Sequence, residues 1–217
     1  MDEQIENRLT HIHWSTYLYN TSISELQIIS DEFYSADEIK IVNSHTFDFY
    51  RVTLQYCFIM EYCKLLEKGN RSNEQNISSL NRLNEIFLED TTKDFQELFD
   101  ENLRLIESIK SSPFYKKIRS LRDKKFGHAD NDEVNKPFSF EGFRTEDFQN
   151  AFEHLRMIKV IFNNFGSVYG REYDLKIPSR EDRTRNFIKF HAEYQSYYMK
   201  NYFKAMSEKS KNPKNGS

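Results

Sequence analysis

The chain has 217 residues, enough for one domain with a sizeable core and no disulfide or metal staple. Gly (6) and Pro (4) are scarce while Phe (19) and Tyr (13) are plentiful, which means long uninterrupted segments and a core of large rings. A formal net charge of -3, with 30% charged residues, excludes a protein that coats nucleic acid over its whole surface, so any such contact must be local.

The N-terminal stretch MDEQIENRLT is polar and acidic, unlike a signal peptide. Apolar stretches are interrupted by charge well before the ~18 residues of a membrane span, so no membrane partner is expected and the location is read as cytoplasmic. Ile5, Leu9, Ile12, Thr16, Tyr19, Ile23 and Leu26 step by three or four and define a first amphipathic helix. His11, His13 and Trp14 on it read as a half-buried aromatic cluster.

Asp31 or Asp37 caps the next helix, which should run to about Lys68 and end at Gly69. It is apolar on more than one face, so it is expected to be central. It carries the only cysteines, Cys57 and Cys63, whose spacing on a helix is about 9 Å of rise, too far for a disulfide. No cysteine or histidine cluster suggests zinc, and no metal or cofactor is expected.

Residues 70–79 form a polar loop, and a short helix covers Leu80–Leu88. Thr91 or Thr92 starts another, with Phe95, Leu98, Phe99, Ile106 and Ile109 on one stripe. Ser112 before Pro113 is an N-cap followed by proline at the first helical position. That helix should reach Phe126 and stop at Gly127. Residues 129–144 read as a loop, Thr145 opens a further helix, and a loop with Gly170 and Pro178 follows. Thr184 starts the last helix, with Tyr194, Tyr198 and Tyr202 on one face, read as core or dimer interface in preference to a base-stacking platform. His45, His154 and His191 read as packing residues. Residues 1–207 are thus one all-α domain, and 208–217 a disordered polar tail.

P-loop, GxGxxG, HExxH and GxSxG motifs are absent. The helix from Pro113 differs from its neighbours in charge. Lys116, Lys117, Arg119, Arg122, Lys124 and Lys125 stand against a single acid, Asp123, and His128 follows. Arg and Lys hold phosphate by charge-assisted hydrogen bonds, and histidine exchanges protons near neutral pH. Together these are what phosphodiester cleavage needs. On a straight helix Arg122 and His128 would lie about 120° apart. Gly127 would let the helix end so that the ring can swing back. A helix C-terminus also favours basic residues and histidine for purely structural reasons.

The string Arg122-Asp123-Lys124-x-x-Gly127-His128 resembles the HEPN superfamily, which shows arginine, a polar residue, and histidine four to six residues on. It is most similar to the phage abortive-infection branch, with its Arg-Asp-Lys-x-x-small-His pattern. The resemblance implies an all-α HEPN-like helical bundle with additional helices. It further implies a metal-independent endoribonuclease of a defence or toxin-antitoxin type. In that reading Arg122 stabilises the phosphate, His128 is general acid/base, and Asp123 orients one of them. Lys116, Arg119, Lys124 and Lys125 are the expected RNA-binding residues. Cleavage needs one proton removed and another delivered, so a homodimer with two Arg/His pairs is expected, and an antitoxin protein is a further candidate partner. Some HEPN toxins carry a modifiable tyrosine two residues after the histidine. Here that residue is Asp130, so this regulation is not expected. The alternative is a non-catalytic HEPN-like module that uses the basic patch to hold RNA, a nucleotide or a protein partner.

Overall fold

The computed structural model describes residues 3–31, 33–67, 78–90, 95–127, 142–172 and 181–211. Among them the chain forms α1 (Glu3–Ile29), α2 (Ala36–Val42), α3 (His45–Leu66), α4 (Leu80–Asp90), α5 (Gln96–Ser111), α6 (Pro113–Leu121), α7 (Thr145–Ser167) and α8 (Glu181–Lys211), and no strand. The residues Arg122–Gly127 continue α6 as a π-helical turn. This is the all-α architecture expected from the periodicity. No described helix is long and apolar enough to cross a membrane.

The chain divides into two compact units, Met1–Ser24 with Leu54–Pro178 and Glu25–Thr53 with Ser179–Ser217. The first unit has an aromatic core. Tyr19, Phe58 and Tyr62 pack with ring centroids 5.1–5.6 Å apart. Phe114 lies 5.9 Å from Tyr62, and His154 lies 5.6 Å from Phe114. A second cluster joins Phe87, Phe99 and Phe165 from α4, α5 and α7. Beside it runs an amide chain, buried at Asn84 and Asn102. Asn164 Nδ2 donates to Asn102 Oδ1, Asn102 Nδ2 to Asn84 Oδ1, and Asn84 Nδ2 to the Phe99 carbonyl, at 2.8, 3.1 and 3.2 Å. Three helices are thereby held in one register by groups that would be costly to bury unpaired. Gly170, at φ +61°, lets the chain turn after α7, with Arg171 N–H donating to the Gly166 carbonyl at 3.0 Å.

In the second unit the expected single helix ending near Lys68 is two helices, broken at Asn43 and Ser44. Arg51 takes the Val42 carbonyl at 2.9 Å, satisfying a group that a continuous helix would have paired internally. The cap of α2 is Ser35, neither Asp31 nor Asp37: its Oγ accepts from Glu38 N–H while Glu38 accepts from Ser35 N–H. Asp31 instead pairs with Arg185 on α8. The last helix starts at Glu181, three residues before Thr184, whose hydroxyl donates to Glu25 at 2.7 Å. It continues to Lys211, beyond the expected onset of the tail.

Exposure corrects the expectations for Trp14 and His45 and narrows that for the tyrosines, while His191, though exposed, packs its ring 4.7 Å from Phe187. Trp14 is 59% exposed and stacks on Tyr17, so among the described residues it stands open and not half-buried. His45 and His191 are exposed, whereas His154 is buried and hydrogen-bonds the Tyr62 hydroxyl through Nδ1. Tyr194, Tyr198 and Tyr202 are not core residues of this chain, since each is about half exposed.

Candidate active site on the basic helix

Ser112 Oγ accepts from Tyr115 N–H at 3.1 Å and Pro113 opens the first turn, so α6 begins where the cap residues set it. Its inward face is Phe114, Tyr115 and Ile118. A further step of four brings Arg122 onto that same side, which explains why its side chain is only 23% exposed. Lys116, Arg119, Asp123 and Lys124 fall on the outward side and are exposed.

Regular α-helical bonding ends at Leu121, and the motif itself lies in the π turn. Such turns widen the coil and are frequent at functional sites. The rotation of 100° per residue that separates Arg122 from His128 on an ideal helix therefore does not hold past Leu121. Gly127 closes the turn as its last residue. His128 and the side chain of Lys125 lie outside the described residues.

Arg122 is oriented by acids from two directions. Its Nε and Nη2 both lie 2.9 Å from Asp123 Oδ1, and its Nη1 lies 3.7 Å from Glu67 Oε1 just past the end of α3. The Nε contact is a hydrogen bond and the Nη2 contact an ion pair on the same oxygen; the Nη1 contact is too long to be a hydrogen bond. The Nε–H is thus committed, and the Nη1 edge keeps its donors. Burial works against the Arg122 charge, but the Asp123 hydrogen bond and the negative groups around it prevail and raise its pKa. Asp123 Oδ2 lies 3.8 Å from Arg119 Nε, so Asp123 holds both arginines.

The remaining cations divide sharply. Lys117 Nζ donates to both carboxylate oxygens of Asp147 at 2.8 Å, which ties α6 to the first turn of α7. It is a structural pair, unavailable to a ligand without cost to the fold. Lys116 and Lys124 make no ion pair among the described residues and stay open to one. Cys63, within electrostatic reach of Arg122, is pushed up to about 12 by burial despite the opposing arginine, so it carries no thiolate at neutral pH. Tyr115 beside it is also raised, again chiefly by burial. Among the described residues no group of three or more His, Cys, Asp or Glu side chains lies together as a metal site would require.

Sequence reasoning placed Arg122, Asp123 and the outward lysines, but missed Glu67. An acid near the end of a distant helix gives no local signal that it faces Arg122. Lys117 was counted with the patch because pairing across helices is invisible along the chain.

A family model described as AbiU2, of HEPN type, matches residues 2–158. The matched span contains the whole of α6 and the π turn and ends within α7, ahead of α8. Comparisons with curated proteins and with solved structures find no match.

Proposed function

Since the chain belongs to the AbiU2 family, the abortive-infection branch of the HEPN superfamily, we propose that it is a metal-independent endoribonuclease built around Arg122 and His128. The observation that carries this reading is the state of Arg122. Its side chain is largely buried, its plane is oriented by a hydrogen bond and an ion pair to Asp123, and its Nη1 edge retains donors. A planar cation held this way suits a phosphate whose oxygens gain charge during reaction.

In the proposed reaction the RNA 2′-hydroxyl attacks the adjacent phosphorus. The new P–O2′ bond forms as the P–O5′ bond breaks, which leaves a 2′,3′-cyclic phosphate and a free 5′-hydroxyl. One His128 takes the 2′-hydroxyl proton and the other delivers a proton to the departing 5′-oxygen. Two copies of the chain supply the two histidines. Arg122 stabilises the equatorial oxygens, Asp123 positions Arg122, and Lys116, Arg119, Lys124 and Lys125 guide the backbone of the RNA.

A second reading has specific support: Asp123 and Glu67 already offset much of the Arg122 charge, as they would in a module that binds without cleaving. Incubation of purified protein with RNA in EDTA separates the two. The enzyme reading expects cyclic-phosphate ends with the wild type and none with Arg122→Ala or His128→Ala. Equal cleavage by wild type and His128→Ala would remove the catalytic assignment. RNA retention without cleavage would favour the binding module.

A further inference from the structure

Glu67 is poorly explained as a structural residue. It follows directly on α3, where its N–H donates to the Lys64 carbonyl at 3.4 Å. Asn81 Nδ2 donates to the Leu66 carbonyl at 3.2 Å, so the end of α3, and with it the place of Glu67, is held from α4. A helix C-terminus carries partial negative charge and disfavours an acid there. The basic residue of that last turn, Lys64, pairs with Glu61 at 3.4 Å and not with Glu67. The ion pair of Glu67 with Arg122 is long, at 3.7 Å, and the Glu67 side chain is 46% exposed, so the pair adds little to stability.

The two acids around Arg122 differ in what they have left to offer. Asp123 is engaged at both oxygens, Oδ1 by Arg122 and Oδ2 by Arg119 Nε at 3.8 Å. Glu67 faces the other edge of the guanidinium, Nη1, which keeps its donors, and among the described residues its carboxylate accepts no hydrogen bond. A phosphate oxygen bonded to Nη1 at about 2.9 Å lies no more than roughly 6.6 Å from Glu67 Oε1. A carboxylate that near repels a bare phosphate. The repulsion is offset only where the phosphate arrives with a hydrogen-bond donor beside it. The 2′-hydroxyl is the one donor of an RNA backbone and sits on the carbon next to the one that bears the 3′-phosphate; a DNA backbone has no donor.

We propose that Glu67 is the residue by which this protein reads ribose, accepting a hydrogen bond from the 2′-hydroxyl of the nucleotide whose 3′-phosphate lies on Arg122. RNA gains a charge-assisted hydrogen bond, whereas DNA meets only the repulsion, so one side chain favours the first and disfavours the second. This role rests on Arg122 holding the phosphate, as proposed above, and does not require that the strand be cut. A hydroxyl hydrogen turns about its C–O bond, so the same group donates to Glu67 on binding and to His128 when the proton is removed.

The test is fluorescence anisotropy of the full chain carrying His128→Ala, which keeps the strands intact. Three end-labelled single strands of one base sequence are compared: ribose, deoxyribose and 2′-O-methyl. The ribose strand is expected to bind about tenfold or more tighter than either of the others, the usual contribution of a hydrogen bond to a charged group. The 2′-O-methyl strand keeps the oxygen but has no hydrogen to donate, so it groups with the deoxyribose strand. Adding Glu67→Ala should weaken the ribose strand, strengthen the deoxyribose strand and bring the three within about threefold of one another. Glu67→Gln keeps an acceptor without the charge and should narrow the preference partway, with thermal melts confirming that both variants fold. Equal binding of the ribose and 2′-O-methyl strands overturns the proposal, as does a preference unchanged by Glu67→Ala, or a chain that binds no strand. A preference lost in Glu67→Ala, in a protein that cuts no RNA with His128 intact, upholds Glu67 and counts only against the ribonuclease reading. Cleavage with His128 intact, beside a preference untouched by Glu67→Ala, removes Glu67 and leaves the ribonuclease reading standing.

Discussion

Arg122 directs Nε and Nη2 at one and the same oxygen, Asp123 Oδ1, each at 2.9 Å. Neighbouring residues thus form a pair in which the acid orients the plane of the guanidinium. If that plane matters for phosphate charge, Arg122→Ala lowers RNA cleavage by about 10²–10³-fold, the usual loss for one transition-state donor. Arg122→Lys keeps the charge but loses the fork and should still lose at least about tenfold. Steady-state cleavage assays check both, and a lysine variant at full rate would show that geometry is irrelevant.

The Lys117–Asp147 pair makes a contrasting prediction on the same helix. The carboxylate is nearly buried and also accepts from Arg144 N–H at 2.9 Å. Lys117→Ala should cost roughly 1–2 kcal/mol of stability, reduced from a buried pair because the lysine is partly exposed. Lys116→Ala, which breaks no ion pair, should cost under about 0.5 kcal/mol but weaken RNA binding and flatten its salt dependence. Chemical denaturation and RNA titration distinguish them.

The linked amides of Asn84, Asn102 and Asn164, the first two buried and the third partly so, behave as one unit. Asn102→Leu strands Asn84 Oδ1 and leaves Asn164 Nδ2 only its longer bond to Glu101 Oε2, at 3.4 Å, and should cost roughly 1–3 kcal/mol. Asn102→Leu combined with Asn164→Leu should cost less than the separate losses added together, because both remove the same Asn164–Asn102 bond. Additive losses in urea melts would show that the amides are not coupled.

His154 should give the protein a pH-dependent stability unrelated to catalysis. Burial lowers its pKa, with Glu153 pulling weakly the other way, so the folded state prefers the neutral ring. Above the ordinary histidine value of about 6.5 neither state is protonated and the full contribution is present. As pH falls below it the unfolded chain binds a proton that the folded chain refuses, so stability declines until the lowered folded value is passed. His154→Phe removes this slope and leaves the Tyr62 hydroxyl unpaired. Melts between neutral and mildly acid pH should show a shallower decline for the variant, at a lower starting stability. Parallel curves would exclude His154 as the cause.

The helical fold was legible because its signals are local. The three-to-four periodicity of Ile5, Leu9 and Ile12, the Ser112–Pro113 cap, and the onset of α7 at Thr145 each depend on residues within one or two turns. The Arg122–Asp123 pair was legible for the same reason, being adjacent in the chain. The break at Asn43 was not, because it depends on Arg51 reaching back to one carbonyl.

By itself, then, the sequence determined the helices, the local charge of α6 and the string that marks the family. Tertiary structure alone decided which cations are spent. It assigned Lys117 to Asp147, set Glu67 beside Arg122, buried His154 against Tyr62 and left the tyrosines of α8 in the open. Burial and pairing are properties of distance in space, and along an extended chain a lysine that anchors two helices, such as Lys117, looks the same as one with no ion pair among the described residues, such as Lys116.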